Sequence, residues 1–592
     1  MPPALHPSLR VGGATSSDAA LEIIPLGAGQ EVGRSCIVVR YQGITILLDC
    51  GVHPGLSGEG CLPFFDEIDM STVDAMLITH FHLDHSAAVP YVVARTPFRG
   101  RLLMTHATRA ITHALLKDFA RLGASRAAAG EGEALYSEKD LEAALARTEL
   151  IDFDQTLDLG GFRVTALRAG HVLGAAMFEV EIAGVRVLYT GDYSRVPDRH
   201  MPSADLPRRP PHVLIVESTY GVSRHLPRAE REQRLTDKIH HTVARGGRVL
   251  LPVVALGRAQ ELLLILDDYW QRHPELAGVP IYHASGLARR ALGVYQAYID
   301  AMSGDIRAAF ERRNPFAFRH VAHLRSARQL DDVGPCVVLA SPSMLQSGTS
   351  RELFEAWCSD PANAVIIADF AVAGTLARDV LAGPAEVTAR SGQRLPLRCH
   401  VDAISFSAHA DFPQTSEFVD AAAPQHVVLV HGEQGEMARL KKALESRAAA
   451  QGVADRVVYM PRVAQPVVIR RPPEVHVAVC GELARRVGLQ EKAGGAEEKD
   501  GALRVEVVGV KPEPERGENG ADRAEPPLSS ELSSPARCAP PPPGRVVEGL
   551  LVSSQNERVA GRLVAREDLS AVSRLVPGHV RLKQRVALAR PW

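Results

Sequence analysis

Short apolar, β-branched runs alternate with helical stretches over most of the chain, and this alternation restricts the fold more than any other feature. From about residue 20 to 220 the runs include ITILLD, DAMLIT, VRVLYTGD and HVLIVES, with helical stretches between them. Between about 222 and 404, strand and helix follow each other in regular turn. This order predicts an α/β protein whose core sheets are covered by helices, with a doubly wound parallel sheet in the second block.

Length and composition favour a globular, multidomain protein. A chain of 592 residues exceeds what one hydrophobic core usually serves, so two or three domains are expected. No apolar run approaches the roughly 18 residues of a membrane span, and the N-terminus lacks a signal-peptide pattern, so we expect an intracellular protein with no membrane partner. The eight cysteines include no CxxC pair, and the net charge is −2. Any bound metal is therefore expected to have histidine and aspartate ligands.

The character of the chain changes beyond about residue 475. Residues 490–545 contain EPERGENGADRAEPPLSSELSS and four consecutive prolines, a composition that predicts a solvated linker. Residues 546–592 regain apolar residues in VVEGLLVSS, which favours a small partner-docking module. A loosely ordered tail is the alternative interpretation of that last segment.

Four side chains of metal-ligand type occupy six consecutive positions in LITHFHLDHSAAVP, residues 77–90. His80, His82 and Asp84 alternate, so in an extended segment they share one face, while His85 turns inward as a helix begins. Neutral imidazoles suit zinc, and a carboxylate with a further imidazole can begin a second site a few ångström away.

Further candidate ligands occur where other apolar strands end. They are His171 in RAGHVLGAAMF, Asp192 in VLYTGDYS and His431 in VLVHGEQ. Strand ends are where open α/β layers assemble their sites. Each residue alone could be a capping aspartate or a loop histidine, but together the three complete two metal sites.

These motifs resemble a known family. HxHxDH with a downstream GH and TGD resembles the metallo-β-lactamase αββα sandwich, while VESTYG, SFSAH and VHGEQ look like motifs A, B and C of the β-CASP nucleases. In that family a Rossmann-like β-CASP domain is inserted into the lactamase fold. Longer strings such as AGHVLGAAMFEVEIAGVRVLYTGDYSR are similar to the branch that cuts messenger-RNA precursors. The resemblance implies a lactamase-type domain at 1–221 and 405–474, a β-CASP domain at 222–404, and a small C-terminal region at 475–592.

The resemblance also implies roles for individual residues. The implied ligands are His80, His82 and His171 for one Zn²⁺, Asp84, His85 and His431 for a second, and Asp192 as the bridge. Asp49, the last residue of ITILLD, would support the ligand loop as a hydrogen-bond acceptor. His409 would protonate the leaving group while Glu217 holds its ring. Arg258 in LGRAQE could meet an RNA phosphate, or could be paired internally.

The activity implied is a zinc-dependent RNA endonuclease in the nucleus that cleaves pre-mRNA at the polyadenylation site, leaving a 3′-hydroxyl and a 5′-phosphate. Implied partners are the pre-mRNA, an inactive paralogous subunit and a symplekin-like scaffold. The alternatives are an Integrator-type paralogue, an inactive scaffold subunit and a small-molecule hydrolase on the same fold. The inserted domain argues against the last of these.

Overall fold

The computed structural model describes residues 20–470, apart from 131–132, 285–292, 325–326, 331–332, 407 and 454–455, and five short segments after residue 477. The chain divides into two compact units, and Ala20–Arg470 is one of them. That unit contains three large sheets and the predicted site residues.

The first sheet has seven strands in the order β22-β1-β2-β3-β4-β5-β6, antiparallel from β22 to β3 and parallel from β3 to β6. Its strands are β1 (Ala20–Gly27), β2 (Cys36–Tyr41), β3 (Ile44–Leu48), β4 (Ala75–Leu77), β5 (Arg101–Met104), β6 (Thr148–Leu150) and β22 (Val467–Arg470). The parallel half brings the carboxyl ends of β3 and β4 to the same edge.

The second sheet also has seven strands, in the order β21-β20-β11-β10-β9-β8-β7. Its strands are β7 (Thr156–Asp158), β8 (Phe162–Arg168), β9 (Ala176–Ile182), β10 (Val185–Tyr189), β11 (Val213–Glu217), β20 (His426–Val430) and β21 (Val457–Tyr459). Strands β10, β11, β20 and β21 are parallel. The second sheet therefore contains strands that precede the third sheet in the sequence and strands that follow it.

The third sheet is parallel throughout, in the order β14-β13-β15-β12-β16-β19. Its strands are β12 (Val249–Pro252), β13 (Ile281–Ala284), β14 (Val321–His323), β15 (Val337–Ala340), β16 (Ala364–Ile367) and β19 (His400–Ala403). A hairpin beside it pairs β17 (Glu386–Thr388) with β18 (Arg394–Pro396).

Eleven helices pack around these sheets among the described residues. They are α1 (Leu83–Ser86), α2 (Val89–Arg95), α3 (His106–Ala128), α4 (Glu138–Ala146), α5 (Arg228–Ala244), α6 (Arg258–Arg272), α7 (Gly304–Arg312), α8 (Gly348–Trp357), α9 (Leu376–Leu381), α10 (Phe412–Ala422) and α11 (Gln434–Ala450). Short 3₁₀ turns occupy Gly58–Cys61, Phe65–Glu67, Met70–Thr72, Pro274–Leu276, Ile299–Ala301 and Ala327–Leu330. Local sequence explains the start of three of these helices. Ser137 forms a capping box with Asp140 before α4, and the side chains of Ser303 and Asp411 cap α7 and α10.

Both faces of each large sheet are buried, which explains the layering. In the first sheet Val38 and Met76 pack with residues of α2, α3 and α4, while their neighbours Val39 and Leu77 point the other way and are also buried. The second sheet likewise has one face packed with α3, α10 and α11 and a second buried face. The third sheet packs α5 and α6 on one face and α8 and α9 on the other. The predicted αββα sandwich with a doubly wound third sheet is confirmed.

The C-terminal unit is described only as paired strands. β23 (Ala478–Val479), β26 (Arg562–Val564) and β25 (Leu550–Val552) form one sheet, and β24 (Ala502–Val510) pairs antiparallel with β27 (Arg581–Ala589). The linker prediction for 490–545 is wrong at β24, because ALRVEVVGV alternates apolar and charged residues as a strand does. The rest of that predicted linker lies outside the described residues. No helix in the described part of the chain is long and apolar enough to cross a bilayer.

Candidate metal centre

The parallel strands of the first and second sheets end at one place in the molecule. Asp49 follows β3 and His80 follows β4, while Asp192 follows β10 and His431 follows β20. The Tyr189 hydroxyl, at the end of β10, donates to Asp49 Oδ2 at 2.8 Å and so joins the two sheets at this edge. The topology therefore brings together ligand-type residues that are hundreds of positions apart in sequence.

Three imidazoles converge in what we call the imidazole group, defined as His80, His82 and His171. His82 Nδ1 lies 3.0 Å from His80 Nε2 and 3.1 Å from His171 Nε2. Asp192 Oδ2 lies 3.6 Å from His80 Nε2 and 3.7 Å from His171 Nε2. Four potential ligand atoms thus face a common point.

Hydrogen bonds on the outer nitrogens orient two of these rings. His171 Nδ1 donates to the backbone carbonyl of Ala408 at 2.9 Å. His80 Nδ1 lies 3.0 Å from Thr79 Oγ1, whose own proton goes to the Asp49 carboxylate at 2.9 Å, so the hydroxyl accepts from the ring. Each outer nitrogen carries the proton, and each Nε2 keeps a lone pair directed at the group.

Burial also keeps the rings of the imidazole group in the neutral form that can bind a metal ion. Burial lowers the pKa of His82 to about 4 and holds the pKa values of His80 and His171 well below the ordinary value. All three rings are therefore neutral at neutral pH. Neutral imidazole is the form that binds a metal ion.

A second cluster, which we call the mixed group, consists of Asp84, His85 and His431. Asp84 Oδ2 lies 3.3 Å from His431 Nε2 and 3.8 Å from His85 Nε2. Asp192 reaches this group as well, because its Oδ2 lies 3.2 Å from His85 Nε2 and its Oδ1 lies 3.5 Å from His431 Nδ1. Asp192 therefore stands between the two groups.

Negative charge dominates the mixed group. Burial works to lower the pKa of His85, but Asp192, Asp84 and Asp49 outweigh it and raise that pKa well above the ordinary value. Burial works to raise the pKa of Asp192, and the surrounding imidazoles outweigh it and hold that pKa well below the ordinary value. The carboxylates stay ionised and attract positive charge to this position.

The donor set fits a bound metal ion. Asp192 Oδ1 is buried and accepts no hydrogen bond from any described residue, a costly arrangement unless a cation balances it. His82 Nδ1 also lies 3.0 and 3.1 Å from the Nε2 atoms of His80 and His171, both of which keep a lone pair. Imidazole nitrogen and carboxylate oxygen are the ligands that zinc takes in the absence of cysteine.

Asp49 is fully buried behind both groups. Its carboxylate accepts hydrogen bonds from Thr79 N at 2.7 Å, from the Tyr189 hydroxyl and, at 2.8 Å, from His85 Nδ1. It has a positive φ of 62°, and His431 has one of 51°, conformations that a non-glycine residue rarely adopts. The surrounding hydrogen bonds hold both residues in place, including His431 N to Ala28 O at 2.8 Å.

Glu217 and His409 form a pair beside the two groups. His409 Nδ1 donates to Glu217 Oε2 at 2.6 Å, and the opposite oxygen of Glu217 accepts from Tyr193 N at 2.9 Å. His409 Nε2 lies 3.8 Å from Asp192 Oδ2. Burial works to lower the pKa of His409, but Glu217 and Asp192 outweigh it and raise the pKa to about 9. An imidazolium therefore faces the candidate metal site.

Arg258 is buried, whereas the predicted phosphate contact requires an accessible guanidinium. The residue is 5% exposed, and its guanidinium is paired with Asp198 at 3.0 Å and with Glu261 at 2.5 Å. A phosphate could reach it only if these buried ion pairs broke. Of the two interpretations that the sequence left open for Arg258, the structure contains the internal pairing.

Three supporting residues were missed by the sequence analysis. Thr79 and Tyr189 bind Asp49, and Thr219 Oγ1 lies 3.0 Å from His431 Nδ1 and also donates to Glu217. Thr79 and Thr219 are within two positions of predicted site residues, and that proximity was the available signal. Nothing in the sequence distinguishes Tyr189 from other strand tyrosines.

Comparison with known families divides the chain into three matched regions. A profile described as the metallo-beta-lactamase superfamily matches residues 29–239, and one described as the Beta-Casp domain matches 259–380. A third, described as the Zn-dependent metallo-hydrolase RNA specificity domain, matches 394–457. All the predicted site residues lie inside these regions except Arg258, which falls one residue before the second.

Curated proteins from several eukaryotes are similar to most of the chain. Endoribonuclease YSH1 of Mycosarcoma maydis is 50% identical over 498 residues, covering 83% of this chain and 56% of the relative. Cleavage and polyadenylation specificity factor 73 of Drosophila melanogaster is 52% identical over 466 residues, covering 79% and 68%. Cleavage and polyadenylation specificity factor subunit 3-I of Arabidopsis thaliana is 53% identical over 424 residues, covering 72% and 61%. The matched part thus spans 56 to 68% of these relatives.

Proposed function

The chain belongs to the metallo-β-lactamase and β-CASP family of these relatives, and from that premise we propose that it is a zinc-dependent RNA endonuclease. It cleaves pre-mRNA at the 3′-end processing site and leaves a 3′-hydroxyl and a 5′-phosphate. The observation that carries the proposal is the pair of ligand groups joined at Asp192, with the protonated His409 beside them. The names of the similar proteins, which are endoribonucleases and polyadenylation factor subunits, support the substrate class.

We assign a role to each predicted ligand. The imidazole group would hold one zinc ion, the mixed group would hold the second, and Asp192 would bridge them. Two zinc ions bound there would lower the pKa of a water molecule and neutralise charge on the scissile phosphodiester. Asp49 fixes the direction of the His85 ring through its 2.8 Å hydrogen bond to Nδ1.

We assign His409 the role of proton donor to the departing O3′. Its Nδ1 proton is committed to Glu217, so the Nε2 proton is the one available to the site. A pKa of about 9 keeps that proton in place at neutral pH. When the bond between phosphorus and O3′ breaks, Nε2 protonates the departing O3′, and the product carries a free 3′-hydroxyl.

The domain boundaries and cellular context are part of the same proposal. All six strands of the third sheet fall inside 222–404, which supports that range as the domain inserted between the lactamase-type segments 1–221 and 405–474. We propose that the protein acts in the nucleus with the subunits of a cleavage and polyadenylation complex, including an inactive paralogue and a symplekin-like scaffold. The relatives' names do not favour the Integrator alternative, and filled ligand positions do not favour an inactive scaffold.

The central test uses the purified chain with an RNA containing a polyadenylation site and its DNA counterpart. Cleavage of RNA, product extension by a polyadenylate polymerase and digestion by an exonuclease that requires a 5′-phosphate are the expected results. A His82→Ala, Asp192→Ala double variant should remain folded and inactive. His283→Ala is a matched control, because His283 is also buried but lies on β13 outside both ligand groups.

Two outcomes would contradict the proposal. One is undiminished RNA cleavage by the double variant. The other is the absence of cleavage by the wild-type chain even after it is reassembled with its co-purifying partners and two equivalents of zinc. Identification of those partners by mass spectrometry also separates a polyadenylation complex from Integrator.

A further inference from the structure

The Arg258 guanidinium binds three separate segments of the chain. Its Nη2 donates to the backbone carbonyl of His171 at 2.9 Å and to Asp198 Oδ2 at 3.0 Å. Its Nη1 donates to the backbone carbonyl of Phe406 at 3.0 Å and to Glu261 Oε2 at 2.5 Å. One side chain therefore ties the start of α6 to the loop that carries a candidate ligand and to the segment that follows β19.

The same two segments also contact each other through the ligand itself. His171 Nδ1 donates to Ala408 O, two residues beyond the Phe406 carbonyl that Arg258 binds. The direction of His171 Nε2 therefore depends on where its loop lies relative to Phe406 and Ala408. Arg258 sets that separation because it holds a carbonyl on each side.

Charge keeps the guanidinium in this position. Asp198 accepts backbone N–H groups of His200 at 2.7 Å and Met201 at 2.6 Å, so its carboxylate is fixed before it meets Arg258. Burial raises the pKa of Glu261, and burial also works to raise the pKa of Asp198, which His200 and Arg258 hold well below the ordinary value. The planar guanidinium reaches two carboxylates and two carbonyls at once, which a lysine ammonium cannot do.

The residue before Arg258 packs directly against the ligand loops. Gly257 has a φ of 96°, and a Cβ built there would lie 3.0 Å from Val172 Cγ1 and 3.8 Å from His82 Nε2. A side chain at position 257 would be strained by this φ and would press on Val172, so the start of α6 lies close against the loops that carry His82 and His171. This close approach is independent of the Arg258 hydrogen bonds and supports the same arrangement.

We propose that Arg258 is a positioning residue for the metal site. It sets the orientation of the His171 imidazole through the carbonyls of His171 and Phe406, and it does not contact RNA. This inference rests on the proposed function in one respect, namely that the imidazole group binds zinc.

The test is the Arg258→Lys variant of the full chain, loaded with zinc. Alanine is unsuitable because it would leave two buried carboxylates without a counter-charge and could prevent folding. Lysine keeps the charge but loses the fork that spans both carbonyls. We expect zinc release to a chromogenic chelator to be about 10- to 100-fold faster, as for other residues that orient ligands. In RNA cleavage, kcat should fall while KM for RNA stays unchanged.

Arg351→Lys is the matched control. Arg351 is 9% exposed, and it also pairs with a carboxylate, Glu355, and donates to two backbone carbonyls, Leu345 O and Thr388 O. Its contacts lie within 345–388, away from the ligand loops. We expect a comparable loss of thermal stability in the two variants, with wild-type zinc release only in Arg351→Lys.

Zinc release at the wild-type rate from Arg258→Lys would overturn the inference, since a purely structural arginine gives that result. An increased KM for RNA with unchanged kcat and zinc release would overturn it in favour of the phosphate contact. Because zinc release needs no RNA, a wild-type chain that binds zinc but cuts no RNA would contradict only the proposed function.

Discussion

The imidazole group and the mixed group share Asp192, but the chain builds them differently. The imidazole group takes its rings from residues 80–171, and burial holds the pKa of each ring below the ordinary value. The mixed group joins Asp84 and His85 to His431, which follows the entire third sheet, and the carboxylates of Asp192, Asp84 and Asp49 raise the pKa of His85. One group is assembled locally as neutral ligands. The mixed group is charged, and its residues come from segments that precede and follow the third sheet in the sequence.

Removing the shared residue should have the largest effect. Asp192→Ala takes one ligand from each group, so we expect RNA cleavage to fall below detection and bound zinc to fall from two ions to fewer than one per chain. Elemental analysis and a cleavage assay measure the two quantities. Asp420→Ala is a suitable control, because Asp420 pairs with Arg447 and Arg456 outside the site. Two zinc ions retained by Asp192→Ala would show that the groups do not depend on a shared ligand.

A pair of variants should separate the groups. His82→Ala removes a ligand from the imidazole group, and His431→Ala removes one from the mixed group. We expect each variant to lose cleavage and to retain about one zinc ion by native mass spectrometry. Loss of both ions from each variant would show that the groups form a single cooperative site.

His409→Ala should leave both groups intact. If His409 donates a proton to the departing O3′, the variant should cleave RNA about 10²- to 10⁴-fold more slowly, because that is the usual contribution of a general acid. Bound zinc should remain at two ions. Loss of an ion would instead make His409 a ligand, an assignment that its 3.8 Å approach to Asp192 allows.

Asp49→Asn should have the smallest effect and should act unequally on the two groups. An amide cannot accept hydrogen bonds from Thr79, Tyr189 and His85 together. We therefore expect the His85 ring of the mixed group to lose its fixed orientation first. We expect about a 10- to 100-fold loss of zinc affinity at one site. Asp74→Asn is the control, since Asp74 Oδ2 accepts a backbone N–H at the other end of β3, from Thr45. Equal weakening of both sites would contradict the comparison.

Much of this arrangement was predictable from the sequence because periodicity and ligand chemistry are local signals. The spacing of His80, His82 and Asp84 after a strand is visible in a short window, and parallel strands necessarily bring their carboxyl ends to one edge. The resemblance to a known family supplied the connection between His431 and this loop, which no local pattern contains.

The sequence did not reveal which polar side chains are buried together. Arg258 begins a helix and is followed by Glu261, a pattern that exposed ion pairs share, and its second partner, Asp198, is 60 positions away. Strand β24 was missed because acidic and proline-rich residues on its C-terminal side dominated the composition of 490–545. In both cases the interpretation relied on the composition of nearby sequence, whereas tertiary packing determines whether a side chain is buried and whether a segment forms a strand.

The position of β20 between β11 and β21 has a consequence for protein synthesis. At about 5–20 residues per second, the ribosome needs roughly 10 to 40 s to add the two hundred residues that separate β11 from β20. Throughout that interval the nascent chain lacks β20 and β21, the last two strands on one side of its second sheet, and also lacks His431. A product terminated before β20 therefore lacks His431, the third member of the mixed group, and cannot form the second of the two proposed zinc sites.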